Sequence, residues 1–307
     1  MDLHDLPKPW VTEVALKGDA STRRYARLTD TNGNTAIMVR YPSEVVWQVE
    51  RDLRVREWCE GKGLKVPKLL DHRAGSNWAV VEDFGPEDAE HTLKSVSPGT
   101  QLRMILRLVE PLRLFSRLVP SELPRWNRPL DADRLRWELS GFELWFLRYR
   151  RNSRPPASVG SWLDDLAWEI GRHPQRVCHR DFHVNNLFLL ATGEVGIIDF
   201  QDILVGPDTY DIVSCLNERA TPDLLDEVRR IEVAEHWADI TAAEHGWRIR
   251  ARQVRLQRAL KVLGSFARFE ALGKHGYVPW MLALARGIVP ELKAVGAPPV
   301  LIDLLLD

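Results

Sequence analysis

The chain has 307 residues, 45% hydrophobic and 28% charged, with a formal net charge of −1. That length allows a large core in one two-lobed unit or two domains, and the near-zero charge speaks against a global field drawing the chain to nucleic acid or an anionic membrane. The three cysteines, Cys59, Cys178 and Cys215, contain no CxxC pair, which excludes a disulfide framework or zinc knuckle and fits a reducing compartment.

Residues 1–5 lack a basic stretch followed by an apolar run, and no run of about 18 apolar residues occurs, so a cytoplasmic protein without leader or membrane span is expected. Trp10 to Leu16, Tyr25 to Leu28 and Thr35 to Tyr41 read as strands, the last two flanking the turn signal Asn32-Gly33 as a hairpin. Ser43 is expected to cap a helix that runs to about Glu60 and stops at Gly61-Lys62-Gly63. Two further strands, Val66–Leu70 and Asn77–Glu82, complete a small α+β lobe. Asp83-Phe84-Gly85-Pro86 breaks the pattern, so the expected division is a nucleotide-binding lobe at 1–84 and a mostly helical lobe at 85–307. The expected helices there are 101–117, 131–151, 161–171, 223–245, 248–272 and 279–294. In the second of these, Leu135, Leu139, Phe142, Phe146 and Tyr149 form an apolar stripe that predicts a core face.

Between these helices, residues 177–200 are short apolar pieces and turns. They read His179-Arg180-Asp181-Phe182-His183-Val184-Asn185-Asn186-Leu187 and, after Thr192-Gly193, Val195-Gly196-Ile197-Ile198-Asp199-Phe200. Phosphoryl transfer needs a carboxylate to orient and deprotonate the acceptor hydroxyl, and hard oxygen ligands to hold Mg²⁺ on a triphosphate. A His-x-Asp-x-x-x-x-Asn spacing followed by a short hairpin and a second Asp meets both needs, as it does in protein kinases. Asp181 is therefore the expected catalytic base, and Asn186 and Asp199 the expected Mg²⁺ ligands, with ATP as phosphoryl donor. His179 reads as a buried brace for the loop. His183 and Asn185 either line an acceptor pocket or satisfy loop backbone groups. Gln201 and Asp202 adjoin the metal site, as supports or as ligands.

These segments resemble the aminoglycoside phosphotransferase superfamily, relatives of the protein kinases. Gly18 to Tyr25, Val81-Glu82-Asp83-Phe84-Gly85, Asp199 to Asp211 and Arg258 to Gly264 more closely resemble the bacterial anomeric kinases of N-acetylmuramate and N-acetylglucosamine. The resemblance implies a protein-kinase-like two-lobed α+β fold, with a small β-rich N-lobe and a larger, mostly helical C-lobe. It implies a nucleotide loop around Gly18, Asp19, Ser21 and Arg23, a hinge for adenine at Glu82, Asp83 and Phe84, and a bracing role for Asp211. A turn of small residues lets backbone N–H groups approach phosphates, and strand alternation puts Arg23 and Arg24 on opposite faces, so one of them faces the nucleotide.

The chain departs from the kinase pattern in one respect. Strand 36–41 carries no lysine, and Arg40 is its nearest cation. Nine of the 42 basic residues are lysines, and none lies between Lys94 and Lys261. Glu50 and Glu57 of the following helix read as solvated. The resemblance also places helix 131–151 beside the acceptor, where Glu138 and Trp145 suit hydroxyl groups and a sugar face. The expected activity is transfer of the γ-phosphoryl group to the anomeric hydroxyl of an amino sugar. A kinase of choline, an aminoglycoside or another sugar, a non-catalytic ATP-binding regulator, and a helical interaction protein are the rival readings.

Overall fold

The computed structural model describes residues 7–16 and 22–306. Strands β1 (Trp10–Leu16), β2 (Arg24–Asp30), β3 (Thr35–Arg40), β4 (Leu69–Asp71) and β5 (Trp78–Glu82) form one antiparallel sheet in the order β1-β2-β3-β5-β4. The hairpin signal works as expected. Ala26 pairs with Met38, Gly33 has φ +82°, and Asp30 Oδ1 accepts the amides of Asn32 and Asn34 at 2.8 and 2.9 Å. A turn with positive φ is where glycine avoids a steric penalty. Alternation then buries Ala26, Leu28, Ala36, Met38 and Val80 in one cluster.

Two expected boundaries move. Ser43 makes no capping bond. A short 3₁₀ turn at Ser43–Val45 precedes α1 (Trp47–Gly61). The strand expected at Val66–Leu70 is reduced to Leu69–Asp71, since Pro67 has no N–H to give a ladder.

Helix α2 (Ala89–Lys94) is capped by Asp88, which accepts His91 N–H at 2.9 Å. The single helix expected at 101–117 becomes α3 (Pro98–Leu108) and α4 (Pro111–Phe115), because Pro111 cannot continue a helical ladder and instead starts a new one. Helix α5 (Ala132–Gly141) is capped by Asp131, which accepts Arg134 N–H at 2.9 Å. There follow α6 (Ala157–Gly171), α7 (Tyr210–Asn217), α8 (Thr221–Leu224), α9 (Glu227–Thr241), α10 (Trp247–Ala271), α11 (Val278–Gly287), α12 (Val289–Ala294) and α13 (Pro299–Leu306). Two small antiparallel pairs join β6 (Gln175–Cys178) to β9 (Leu204–Pro207), and β7 (Leu187–Leu189) to β8 (Val195–Ile197). Among the described residues no helix is long and apolar enough to cross a membrane.

The described residues group into two compact units. One holds residues up to Leu114 with Asp181–Ile203 and Arg219–Val233; the other holds Phe115–Arg180, Leu204–Glu218 and the residues from Ala234 onward. This grouping cuts across a division by element type at residue 84, because α2, α3 and the β7–β8 hairpin go with the sheet.

In the second unit, Leu135, Leu139, Phe142 and Phe146 are fully buried as their spacing predicts, but Tyr149 is exposed and Leu147 is buried instead. The reason is a change of pitch. From Phe142 to Arg150 the helix is π-helical, ending in an i→i+5 bond from Arg151 N–H to Phe146 C=O at 3.0 Å. The extra residue per turn rotates Tyr149 off the core face. The pitch changes where α10 crosses, and there Gly264 lies against Gly141. A Cβ on Gly264 would stand 2.6 Å from the Gly141 carbonyl carbon.

Candidate active site

Strand β6 delivers the chain to His179 and Arg180. Arg180 has φ +82°, a left-handed conformation that non-glycine residues rarely adopt. The surrounding side chains hold it there. Asp211, in the first turn of α7, accepts the backbone N–H of His179 at 2.7 Å and of Arg180 at 2.9 Å. Arg258 of α10 donates to the Arg180 carbonyl at 3.1 Å. It also donates to Glu218 at 2.6 Å and to Ser214 Oγ at 3.1 Å, with its guanidinium 4.3 Å from the Tyr210 ring centroid. Burial pushes the Asp211 carboxyl up, more than His179, the two amides and Arg258 pull it down. The bracing role expected for Asp211 thus has explicit hydrogen bonds, and His179 is fully buried.

In the first unit, Asp181 begins the candidate catalytic loop, and its carbonyl accepts His183 N–H at 3.1 Å and Asn186 Nδ2–H at 2.9 Å. That bond engages the amide nitrogen of Asn186, so Oδ1 is the end of the side chain that would meet a metal ion. Ile198 N–H then donates to Asn186 C=O at 3.0 Å, continuing the β7–β8 pairing of Leu187 with Ile197. The hairpin therefore sets Asn186 beside Ile198, the residue before Asp199. Asp199 is exposed and left-handed at φ +60°, and Gln201 Nε2 donates to its Oδ1. One amide oxygen and one exposed carboxylate are hard donors of the kind Mg²⁺ selects, so the residues present fit that ion. Gln201 supports the carboxylate, while Asp202 is half-buried beside it.

Gly18, Asp19 and Ser21 lie outside the described residues. Arg23 is half-buried. Its Nη1 stands 3.7 Å from Asp52 Oδ2 of α1, and its guanidinium 5.5 Å from the Tyr41 ring centroid. Burial works against its charge, but Tyr25, Asp52, Tyr41 and Asp199 together outweigh it, and its pKa is raised. Arg24 is exposed on the other face. Arg40 is engaged elsewhere, because Nη2 donates to Glu13 of β1 at 2.9 Å. The hinge side chains are paired within the same unit. Glu82 accepts Lys65 Nζ at 2.9 Å, and Asp83 accepts Arg27 Nε at 2.6 Å and Gly85 N–H at 2.9 Å. Phe84 lies 5.8 Å from Phe188 and 5.2 Å from Lys65 Nζ. The side chains of Glu82 and Asp83 are thus committed to protein cations.

The candidate acceptor residues divide between the units. Asn185 Nδ2 donates to Asp88 at 3.2 Å, and His183 is buried. In the second unit Glu138 is 8% exposed. It accepts Gln257 Nε2 at 3.0 Å and lies 3.3 Å from Lys261 Nζ. Burial pushes its carboxyl up, but Lys261, Gln257 and Arg180 pull harder, so its pKa is lowered. Trp145 is half-buried against the core, edge-on to Tyr149 at 6.1 Å. Sequence reasoning missed Lys261, Gln257 and Asp52 as partners. Asp52 was detectable in principle: it sits three residues from both Val49 and Val55, on the buried stripe of α1. Glu50 and Glu57 carry the exposed side chains expected of them.

Residues 12–248 match the model of the phosphotransferase enzyme family, APH. The chain belongs to this family. As a member it is an ATP-dependent kinase of a small-molecule hydroxyl. Among its relatives is an N-acetylmuramate/N-acetylglucosamine kinase from Pseudomonas aeruginosa, 28% identical, with 83% of this chain and 76% of that one aligned. A kinase of the same name from Neisseria meningitidis serogroup B is 29% identical over 85% of this chain and 80% of that one. The fold matches a choline kinase from Streptococcus pneumoniae with a TM-score of 0.62 at 14% identity, covering 93% and 94% of the two chains. An aminoglycoside phosphotransferase from Streptomyces rimosus matches at 0.56 and 19%, covering 81% and 92%. The family's protein-kinase-like α+β fold is the one expected from the sequence.

Proposed function

We propose that this member phosphorylates an amino sugar, N-acetylmuramate or N-acetylglucosamine, at the anomeric hydroxyl. The observation that carries the acceptor assignment is the pair of relatives named for those two sugars, each aligned over more than three quarters of its own length. A second observation weighs against a cationic acceptor. The buried carboxylate of Glu138 already has Lys261 beside it at 3.3 Å, so it offers no uncompensated negative charge to an aminoglycoside or choline.

On this reading, residues 1–84 bind the nucleotide and 85–307 supply catalysis and the acceptor pocket. Asp181 orients the acceptor hydroxyl and takes its proton as the oxygen attacks the γ-phosphorus in line. Asn186 Oδ1 and Asp199 would hold Mg²⁺, which would neutralise charge on the triphosphate. Phe84 and the hinge backbone face adenine. Glu138 and Trp145 are the acceptor-binding candidates of the second unit, and His183 is that of the first. The three dispersed, buried free cysteines are in keeping with a reducing, cytoplasmic setting.

The test is ADP release from Mg-ATP with N-acetylmuramate, N-acetylglucosamine, choline and an aminoglycoside as acceptors, and phosphorus NMR of the product. The expected result is an anomeric sugar phosphate from one or both amino sugars. Turnover confined to choline or the aminoglycoside overturns the acceptor assignment.

A further inference from the structure

The kinase arrangement holds the triphosphate with a lysine on the third strand, fixed by a carboxylate on the following helix. Neither residue exists here in that form. Strand β3 has no lysine, its Arg40 is paired with Glu13, and Glu50 of α1 is turned to His72 at 3.0 Å. A cation–carboxylate pair linking sheet and helix is present nonetheless, one strand away. It consists of Arg23, next to the start of β2, and Asp52 of α1, 3.7 Å apart and with side chains 17% and 7% exposed.

The surroundings favour a fixed arginine. Asp52 accepts Tyr41 Oη–H at 3.1 Å and Arg51 Nε–H at 3.1 Å, so its carboxylate is oriented from two sides. The Tyr41 ring supports the Arg23 guanidinium 5.5 Å from its centroid. Arg51 extends the chain of contacts to the metal segment. Its Nη2 donates to the Gln201 carbonyl at 3.4 Å, and Gln201 Nε2 donates to Asp199. Asp199 in turn is one of the charges acting on Arg23. A guanidinium carries five N–H donors in a rigid fork, a geometry that suits a carboxylate and phosphate oxygens alike.

We propose that Arg23, positioned by Asp52, takes over the work of the missing strand lysine and binds the phosphates of ATP. Arg23 is the residue that touches the nucleotide; Asp52 acts through it. The inference rests on the ATP-kinase reading but not on which sugar is the acceptor.

The test measures Mg-ATP binding by calorimetry, which needs no acceptor, together with steady-state kinetics and the melting temperature. Losing one charge-assisted phosphate contact typically weakens binding roughly 10–100-fold. Arg23→Met is expected to weaken Mg-ATP by that factor at unchanged KM for the acceptor, and Arg23→Lys to recover part of it. Asp52→Asn is expected to weaken Mg-ATP less than Arg23→Met, to add little in the double variant, and to be rescued by Asp52→Glu. The exposed Arg24→Met is the control and should bind as wild type. Wild-type Mg-ATP affinity and kinetics in a folded Arg23→Met overturn the proposal, even if Asp52→Asn fails to fold. So does a double variant whose losses simply add. A wild-type chain that binds Mg-ATP but leaves both amino sugars untouched refutes the acceptor assignment instead, and Arg23→Met still decides this proposal.

Discussion

Asp211 accepts the backbone N–H of Arg180 at 2.9 Å, and Arg180 is held at φ +82° in the residue preceding Asp181. A buried carboxylate thus fixes a strained backbone at the start of the candidate catalytic loop. Asp211→Ala removes the acceptor for two amides, the buried one of His179 and the partly buried one of Arg180. An unsatisfied buried donor costs about 1–3 kcal/mol. Denaturant unfolding of the variant should therefore show a loss of a few kcal/mol, and kcat should fall with it. An unchanged unfolding midpoint would remove the brace from the account.

Glu138 and Lys261 form an ion pair in the second unit, with Glu138 nearly inaccessible. Glu138→Gln leaves Lys261 without its buried counter-charge, which typically costs about 3–5 kcal/mol. Adding Lys261→Met should recover much of that loss in equilibrium unfolding. If the double variant is less stable than Glu138→Gln alone, Lys261 is not the partner that matters.

Gly264 packs against the backbone of Gly141, where an added Cβ would meet three backbone atoms at 2.6–2.8 Å. No side-chain rotation relieves that contact. Gly264→Ala should lower stability by about 1–3 kcal/mol, although alanine is the better helix former. A melting temperature equal to or above wild type would contradict the close crossing.

Asp83 is only 3% exposed at its side chain and is paired with Arg27. Burial pushes its carboxyl up, but Arg27, the Gly85 amide and Thr35 outweigh it, so its pKa is lowered. In the unfolded chain the carboxyl takes up a proton first, at about pH 4. The stability it contributes is therefore complete above that range and is lost as pH falls through the lower folded value. Unfolding free energy measured from pH 6 down to pH 3 should fall less steeply in Asp83→Asn than in wild type. Identical slopes would mean that Asp83 is not the group responsible.

The sequence made local chemistry readable and left distant pairing hidden. Asn32-Gly33 specified its hairpin because turn geometry is a property of adjacent residues. The order of Asp181, Asn186 and Asp199 was visible because one loop and one hairpin carry all three. The pairing of Arg23 with Asp52, or of Glu138 with Lys261, depends on which faces of separate elements meet, and no spacing rule reports that. Tyr149 was assigned to the core on a constant helical pitch, and the π-helical stretch moved it to the surface. The strand β9 escaped notice because four residues are too few to show alternation.

The roles assigned to the catalytic loop stand or fall on Asp181→Asn assayed for phosphoryl transfer from Mg-ATP to the preferred acceptor. Loss of a general base lowers turnover roughly 10²–10⁴-fold, and the account predicts a fall of that size with Mg-ATP affinity and melting temperature close to wild type. A variant that transfers phosphate at the wild-type rate would show that another group takes the acceptor's proton.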